Sequence, residues 1–389
     1  MSNDLCRDGM TLENWRLHPV SCYSFQHVSE FVPVAMVTWP GAALEASPGP
    51  AALEQLVLNE GDGSTISCLA HMQRSYTDNI VVLRDGELVA EWHADGVNPA
   101  LPHLLFSVSK SITGMLAGIA AGEGKLDPDL SVAAYVPSMA NSTYGTARVR
   151  DLLDMTVDLD FDEEYLDDGG AFDRYRRAML WNPERANTQP ETMEELLATL
   201  GGHGRGHGHQ FYYASPNTDL LGLVVERATG MRYHQYMAEK LWRPMGANGA
   251  AYVTLDRIGT ARAAGGVCVT TRDLARLGQL VLDDGRNRDG AQIVPQDWIE
   301  DMRQNGNRQA WLDGNFAEMF ANGRYRSCWY DVGDGRGTIA GLGIHGQWLW
   351  CDPISRVVIA KTSCHPEPND DAVIASEIIM LGQIARAFA

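Results

Sequence analysis

No apolar stretch of the chain reaches the roughly 18 residues that a membrane-crossing helix needs, and no early segment joins a basic stretch to an apolar run and a small-residue cleavage site. The expectation is a soluble, cytoplasmic protein with no membrane partner. Positive charge is scarce as well: 31 Lys and Arg stand against 50 Asp and Glu, for a formal net charge of −19. Such a surface repels nucleic acid and anionic lipid, so neither is expected as a partner. Cysteine is sparse and unpatterned. The seven, at positions 6, 22, 68, 268, 328, 351 and 364, are odd in number and contain no C-x-x-C pair. That argues against a disulfide framework and a zinc knuckle, and leaves all of them expected as free thiols. There is no internal repeat, coiled coil or low-complexity tract.

What is present is ample apolar material: 389 residues, 45% of them hydrophobic, can fill a substantial core. Residues 1–50, with the Pro- and Gly-bearing WPGAALEASPGP, read as an arm packed on a domain. Apolar spacing over about 51–75 is helical, and IVVLRDGELVAEWHA then sets two apolar runs about Asp85-Gly86, the strongest hairpin signal in the chain. From Ser107, SITGMLAGIAAGEG reads as a helix of small residues buried nearly all round and stopped by Gly124. VRDLLDM, ETMEELLATL, TDLLGLVVERATG and TRDLARLGQLVLDDG carry helical periodicity. Strands return with RSCWYDV, IHGQWLWCD and RVVIAKTS, the last two joined by the turn CDPIS, before a final helix over about 372–388. The economical assembly is α+β, with one antiparallel sheet built from both ends of the chain and flanked by helices. Residues 51–122 and 256–389 form its α/β region and 123–255 an inserted all-helical lobe, together a single catalytic unit.

FSVSKSITG places Ser107 and Lys110 three residues apart at the start of a helix, and so on one face. A serine hydroxyl is a weak nucleophile until a base takes its proton, and a lysine serves as that base only when burial and the helix dipole depress its pKa. The Ser107 N–H, at the helix start, is also placed to hold an oxyanion. A helix cap and a surface lysine would leave the same signature, so the pair needs partners. FYYASPNTDLLG offers Tyr213, a phenol able to relay protons, with Ser215 ahead of a helical run beginning near Thr218. Half-buried aromatics followed by a capping Ser215 or Asn217 are the plain alternative. In AGLGIHGQWLW, Gly341 and Gly343 leave room for a substrate beside the strand, the Ile344 N–H is a second oxyanion donor, and His345 is a rival base that no Asp is placed to orient. His203, His207 and His209 suggest metal, but no carboxylate or cysteine completes a ligand spacing, so neither metal nor cofactor is expected. The acidic DLDFDEEYLDDGGAFDRYRR over 158–177 is either a solvated loop or a lid that presents acidic and aromatic side chains, Tyr165 among them.

In chain order, Ser107-Val-Ser-Lys110, Tyr213-Ala-Ser215 and the glycine-flanked strand at 341–344 resemble the serine β-lactamase and penicillin-binding-protein superfamily, in the tyrosine form of its class C members and related esterases. More narrowly, LENW, LLFSVSKSITG, EEYLDD, FYYASPNTD, GGVCVTTRDLARLGQLVLDDG and GIHGQWLW resemble the 6-aminohexanoate-dimer hydrolase (nylon-oligomer hydrolase) group of amidases over most of the chain. The resemblance implies a β-lactamase/transpeptidase-like fold and a set of roles. Ser107 would be the acylated nucleophile, Lys110 its base and Tyr213 the proton shuttle, with the N–H groups of Ser107 and Ile344 as the oxyanion hole. Tyr165 would meet the leaving amine and Asp173 a substrate ammonium, while Ser215, Gly343 and His345 would line the substrate site. The Lys-Thr-Gly or His-Thr-Gly that meets a β-lactam carboxylate is Gly341-Leu342-Gly343 here, without a cation; Lys361-Thr362-Ser363 lacks the glycine and follows another strand. The expected function is a serine hydrolase cleaving small amides or esters through an acyl-enzyme. Carboxylesterase, D-peptidase or acyltransferase activity on the same machinery is the alternative, and a catalytically silent ligand-binding homologue the alternative of another class. The partners expected are a small-molecule substrate and at most a second copy of the chain, as a homodimer.

Overall fold

The computed structural model describes residues 7, 9–38, 46–166 and 169–389. At Asp85-Gly86 both residues take positive φ, 48° and 80°, the pair of left-handed conformations that a tight two-residue hairpin needs. They join strands Thr77–Arg84 and Glu87–His93. The first of these pairs with Val357–Ser363 from the far end of the chain. The resulting seven-stranded antiparallel sheet runs Glu87–His93, Thr77–Arg84, Val357–Ser363, Gln347–Asp352, Ile339–Gly343, Trp329–Asp331, Arg324–Arg326.

Alternation of side chains along each strand decides its two faces. Val81, Leu83, Leu349, Val358 and Ala360 join the core that also holds helices Val108–Gly122 and Thr271–Leu282. Ile80, Val82, Trp348, Trp350 and Ile359 pack instead on Met380, Leu381 and Ile384 of helix Asp371–Ala387. Gly278 sets the first approach: a Cβ there would lie 2.5 Å from Val358 and 2.9 Å from Leu349. Helix Val108–Gly122 is buried on every side from Val108 to Ala120, and just beyond its end Gly124 turns at φ +69°.

Two departures from the sequence reading have local causes. Residues 51–75 are not one helix, because Gly61 and Gly63, at φ +91° and +93°, turn a short hairpin of Val57–Asn59 and Thr65–Ser67 between helices Ala51–Glu54 and Cys68–Arg74. A second, four-stranded sheet, in the order Val34–Thr38, Ala251–Thr254, Val267–Val269, His103–Leu104, takes a strand from the arm and another from within the segment expected to be all helical. Strands this short show no period in the sequence.

The cysteine expectation is corrected. Cys22 and Cys364 form a disulfide, their Cα atoms 5.0 Å apart across a sequence separation of 342. Spacing along the chain does not report a pairing made by the arm lying over the end of strand Val357–Ser363. Cys68, Cys268, Cys328 and Cys351 are buried and free, while Cys6 lies outside the described residues. Burial pushes Cys68, Cys328 and Cys351 up to about 12, far from thiolate chemistry at neutral pH. Among the described residues, no helix is long and apolar enough to cross a membrane.

Candidate active site

Phe106 sits at φ +46°, an unfavourable conformation for a bulky residue that only surrounding packing can hold. Its ring is clasped by Phe25, His345 and Trp181 at centroid distances of 4.9, 5.1 and 6.1 Å. The kink presents Ser107 immediately ahead of helix Val108–Gly122. One turn on, Lys110 is only 2% exposed, and its Nζ donates to Ser107 Oγ at 2.8 Å, Ser215 Oγ at 2.9 Å and Ala264 O at 2.9 Å. Burial brings its pKa from 10.5 down to about 8, with Glu163 opposing the shift and Arg262 adding to it. Nζ thereby comes within reach of the neutral form, which can accept a proton from a hydroxyl at this distance.

Tyr213 closes the other side. Its ring stacks on Phe316 at 4.9 Å, its backbone N–H donates to Asn315 Oδ1 at 3.1 Å, and Lys110 Nζ lies 4.9 Å from the ring centre. Burial, then Tyr330 and Glu163, hold the phenol well above its ordinary pKa against the pull of Ser107. It stays a neutral group that both donates and accepts. Gly343 brings strand Ile339–Gly343 against the Ser107 turn: a Cβ there would stand 2.6 Å from Leu105 O and 3.1 Å from Ser107 N. Ser107, Tyr165, Tyr213 and Ile344 line one cavity of about 400 Å³, whose other walls include Phe316, Met319, Leu342 and Ile374.

Two carboxylates missed in the sequence support this arrangement. Glu163 Oε1 accepts from Tyr165 Oη at 2.8 Å and Ser215 Oγ at 2.7 Å, and its Oε2 accepts from Ser215 N at 2.6 Å. Asp219 Oδ1 takes the Ala264 N–H at 2.8 Å, while Oδ2 accepts from Tyr175 Oη at 2.5 Å and pairs with Arg262. Asp219 thus positions the carbonyl that receives Lys110. The available signal for it was position, one helical turn after Ser215; Glu163 was hidden in an acidic run that offered several equivalent choices.

The other predicted residues are placed as follows. Ser215 serves Lys110 and Glu163. Asp173 is already committed, Oδ2 to Arg177 at 3.0 Å and Arg185 at 3.2 Å, Oδ1 to Asn182 at 2.7 Å, which leaves little charge for a substrate ammonium. His345 Nδ1 donates to His365 O at 2.7 Å, burial takes its pKa down to about 3, and the ring lines a second cavity. Lys361 is buried against Glu377 at 2.5 Å, two strands away from Ile339–Gly343, where it braces the interior. His207 accepts from Asp158 N at 3.0 Å and meets Thr146 Oγ1 at 3.1 Å, tying down its glycine-rich loop. Asp167 and Asp168 of the acidic segment lie outside the described residues.

Comparison with known proteins bears on the family and the fold. The profile of the family described as Beta-lactamase matches residues 64–383. The chain is 36% identical over 359 residues to 6-aminohexanoate-dimer hydrolase of Paenarthrobacter ureafaciens, covering 92% of this chain and 89% of that protein. A solved structure from Bacillus anthracis, provisionally named a 6-aminohexanoate-dimer hydrolase, superposes with a TM-score of 0.88 at 24% identity, covering 98% of this chain and 97% of that one. A class C β-lactamase mutant superposes with a TM-score of 0.57 at 16% identity, covering 81% of this chain and 94% of the other.

Proposed function

From a chain that belongs to the β-lactamase family and is a hydrolase, we propose the chemistry of a serine amidase: Ser107 is acylated by short linear amides, of which a 6-aminohexanoate dimer is the type. The observation that carries this reading is Lys110 Nζ at 2.8 Å from Ser107 Oγ, in a lysine brought to about 8. Neutral Lys110 takes the Ser107 proton as Oγ attacks the amide carbonyl, and the N–H groups of Ser107 and Ile344 hold the oxygen as it gains charge. Tyr213 gives its proton to the departing nitrogen and regains one from Lys110. Water then attacks the acyl ester by the same route in reverse. Tyr165, hydrogen-bonded to Glu163 at the cavity wall, borders the leaving group.

A cavity of about 400 Å³ with Phe316, Met319, Leu342, Ile374 and Ile378 among its walls has an apolar side that suits a methylene chain. The residues lining it include no cation for a β-lactam carboxylate, and Lys361 is engaged inside the protein, which favours linear amides and esters. A cytoplasmic setting forms part of the proposal. Intact-protein mass spectrometry after incubation with p-nitrophenyl butyrate or a fluorophosphonate is the test. The expected result is an adduct on the wild type, none on Ser107→Ala, and release of 6-aminohexanoate from its linear dimer by the wild type alone. An absence of adducts on both proteins would overturn the acyl-enzyme and leave a ligand-binding homologue.

A further inference from the structure

Beyond Tyr165 and His345 lies a second cavity, of about 1030 Å³, that the reaction above leaves unused. Its wall carries a guanidinium with no ion-pair partner among the described residues. Arg176, on helix Ala171–Ala178, is 9% exposed and lies over the Phe172 ring at 4.3 Å. Its guanidinium makes no hydrogen bond and no ion pair with any described residue. Asp173, one turn earlier on the same helix, is taken up by Arg177, Arg185 and Asn182. Arg16 lines the same cavity and is held by neutral acceptors, Trp181 O at 2.7 Å and Asn182 Oδ1.

Removing a cation from water without a partner is strongly unfavourable, and two cations on one cavity wall aggravate it. Burial pushes Arg176 down to about 10, and burial together with Arg176 pushes Arg16 well below its ordinary value. An arriving anion repairs both deficits at once. The carboxylates nearby offset the deficit only in part: Glu163 and Asp173 act on Arg176 from a distance, without an ion pair, and both are engaged by other groups, while Glu13, Glu184 and Glu367 are exposed at the cavity mouth, and Glu184 pairs with Arg257. His345 is neutral, its Nδ1–H already given to His365 O. Tyr165 lines both this cavity and the Ser107 cavity, so an extended chain held at Ser107 reaches Arg176 by passing it.

We propose that this second cavity is a carboxylate subsite: Arg176, backed by Arg16, receives the anionic end of the substrate half that lies beyond Tyr165. The enzyme then selects amides and esters that carry a terminal carboxylate. A guanidinium offers two parallel N–H donors to the two oxygens of a carboxylate, a match that a lysine only partly reproduces. The identity of the bond cut rests on the Ser107 reading; the binding of the carboxylate does not.

Two substrate pairs test it: N-butyryl-6-aminohexanoate against its methyl ester, with the carboxylate on the leaving half, and mono-p-nitrophenyl adipate against its methyl ester, with the carboxylate on the acyl half. Arg176→Gln, which gives up the stacking on Phe172 but no side-chain hydrogen bond or ion pair with a described residue, is expected to lower the acid-to-ester ratio of kcat/KM about 10- to 100-fold in the pair whose carboxylate reaches the cavity. The loss falls on KM, and Arg176→Lys recovers part of it. Arg288→Gln, at an exposed pair with Glu87, serves as the control with an unaltered ratio. Ratios unmoved by Arg176→Gln in both pairs, or acid and ester weakened alike, would overturn the subsite. Calorimetric titration of Ser107→Ala with the acid of each pair, with and without Arg176→Gln, reads the same factor without turnover. Its outcome therefore separates a failure of the subsite from a failure of the acyl-enzyme mechanism.

Discussion

Lys110 imposes a pH dependence whose size follows from its surroundings. At pH 7 an unperturbed lysine is neutral in roughly one molecule in 3,000, whereas a group at about 8 is neutral in roughly one in 11. Burial thus supplies about 300 times more competent base. Acylation by a neutral ester is expected to rise about tenfold per pH unit from about pH 6, bend near 8 and level off above it. Quenched-flow mixing followed by intact mass measures acyl-enzyme formation directly, so the ionisation of a chromogenic leaving group does not intrude. The same displacement costs stability. Between about 8 and 10.5 the native chain binds fewer protons at this lysine than the unfolded chain, so stability gains with rising pH across that window, and below it the full cost is about 3 kcal/mol. Because Glu163 raises the lysine, Glu163→Gln is expected to move the bend to lower pH. A flat profile between about pH 6 and 9, or a limb near the ordinary histidine value of about 6.5, would refute lysine as the base.

Gly343→Ala places a Cβ where only 2.6 Å separates it from Leu105 O and 3.1 Å from Ser107 N. Acylation is expected to fall about 10²- to 10³-fold with an unchanged circular dichroism spectrum; a wild-type rate would release Gly343 from any part in the oxyanion site. Cys22→Ser opens a cross-link spanning 342 residues and is expected to lower stability by about 2–5 kcal/mol. Denaturant midpoints that are equal with and without reductant would show that packing alone holds the arm.

Local relations made part of this molecule legible in its sequence. Ser107 and Lys110 are one helical turn apart, and Asp85-Gly86 specifies its own turn, so each could be read without knowing the rest of the fold. Tyr213 needed order along the chain as well, since a tyrosine ahead of a helix is common. Relations set by tertiary structure stayed hidden. Cys22 meets Cys364 only after both ends of the chain have packed, and strands such as Ala251–Thr254 are too short to carry a period. Asp173 shows a subtler limit, because its residue type suggests a free charge while Arg177 and Arg185 have already claimed it. Arg176 is the converse. A basic residue at a helix end suggests a solvated surface, yet here it is buried beside a cavity.

Lys110 and Arg176 are two buried cations near one substrate path, and burial lowers the pKa of both. The outcomes differ because of where each starts. A lysine brought to about 8 loses its proton often enough at neutral pH to act as a base, and its contacts with Ser107, Ser215 and Ala264 let the neutral amine remain in place. An arginine brought to about 10 stays charged in roughly 999 molecules of 1,000 at pH 7. It cannot escape the cost of burial by deprotonating. Glu163 and Asp173 offset that cost only in part, since neither pairs with it and Asp173 is claimed by other arginines, so the remaining relief comes from a ligand of opposite charge. The same low-dielectric surroundings therefore make a proton acceptor of one cation and an anion receptor of the other. Exchanging the two side chains would defeat both roles. An arginine at position 110 would retain the proton that catalysis must pass, and a lysine at 176 would lose both the fork geometry and part of its charge.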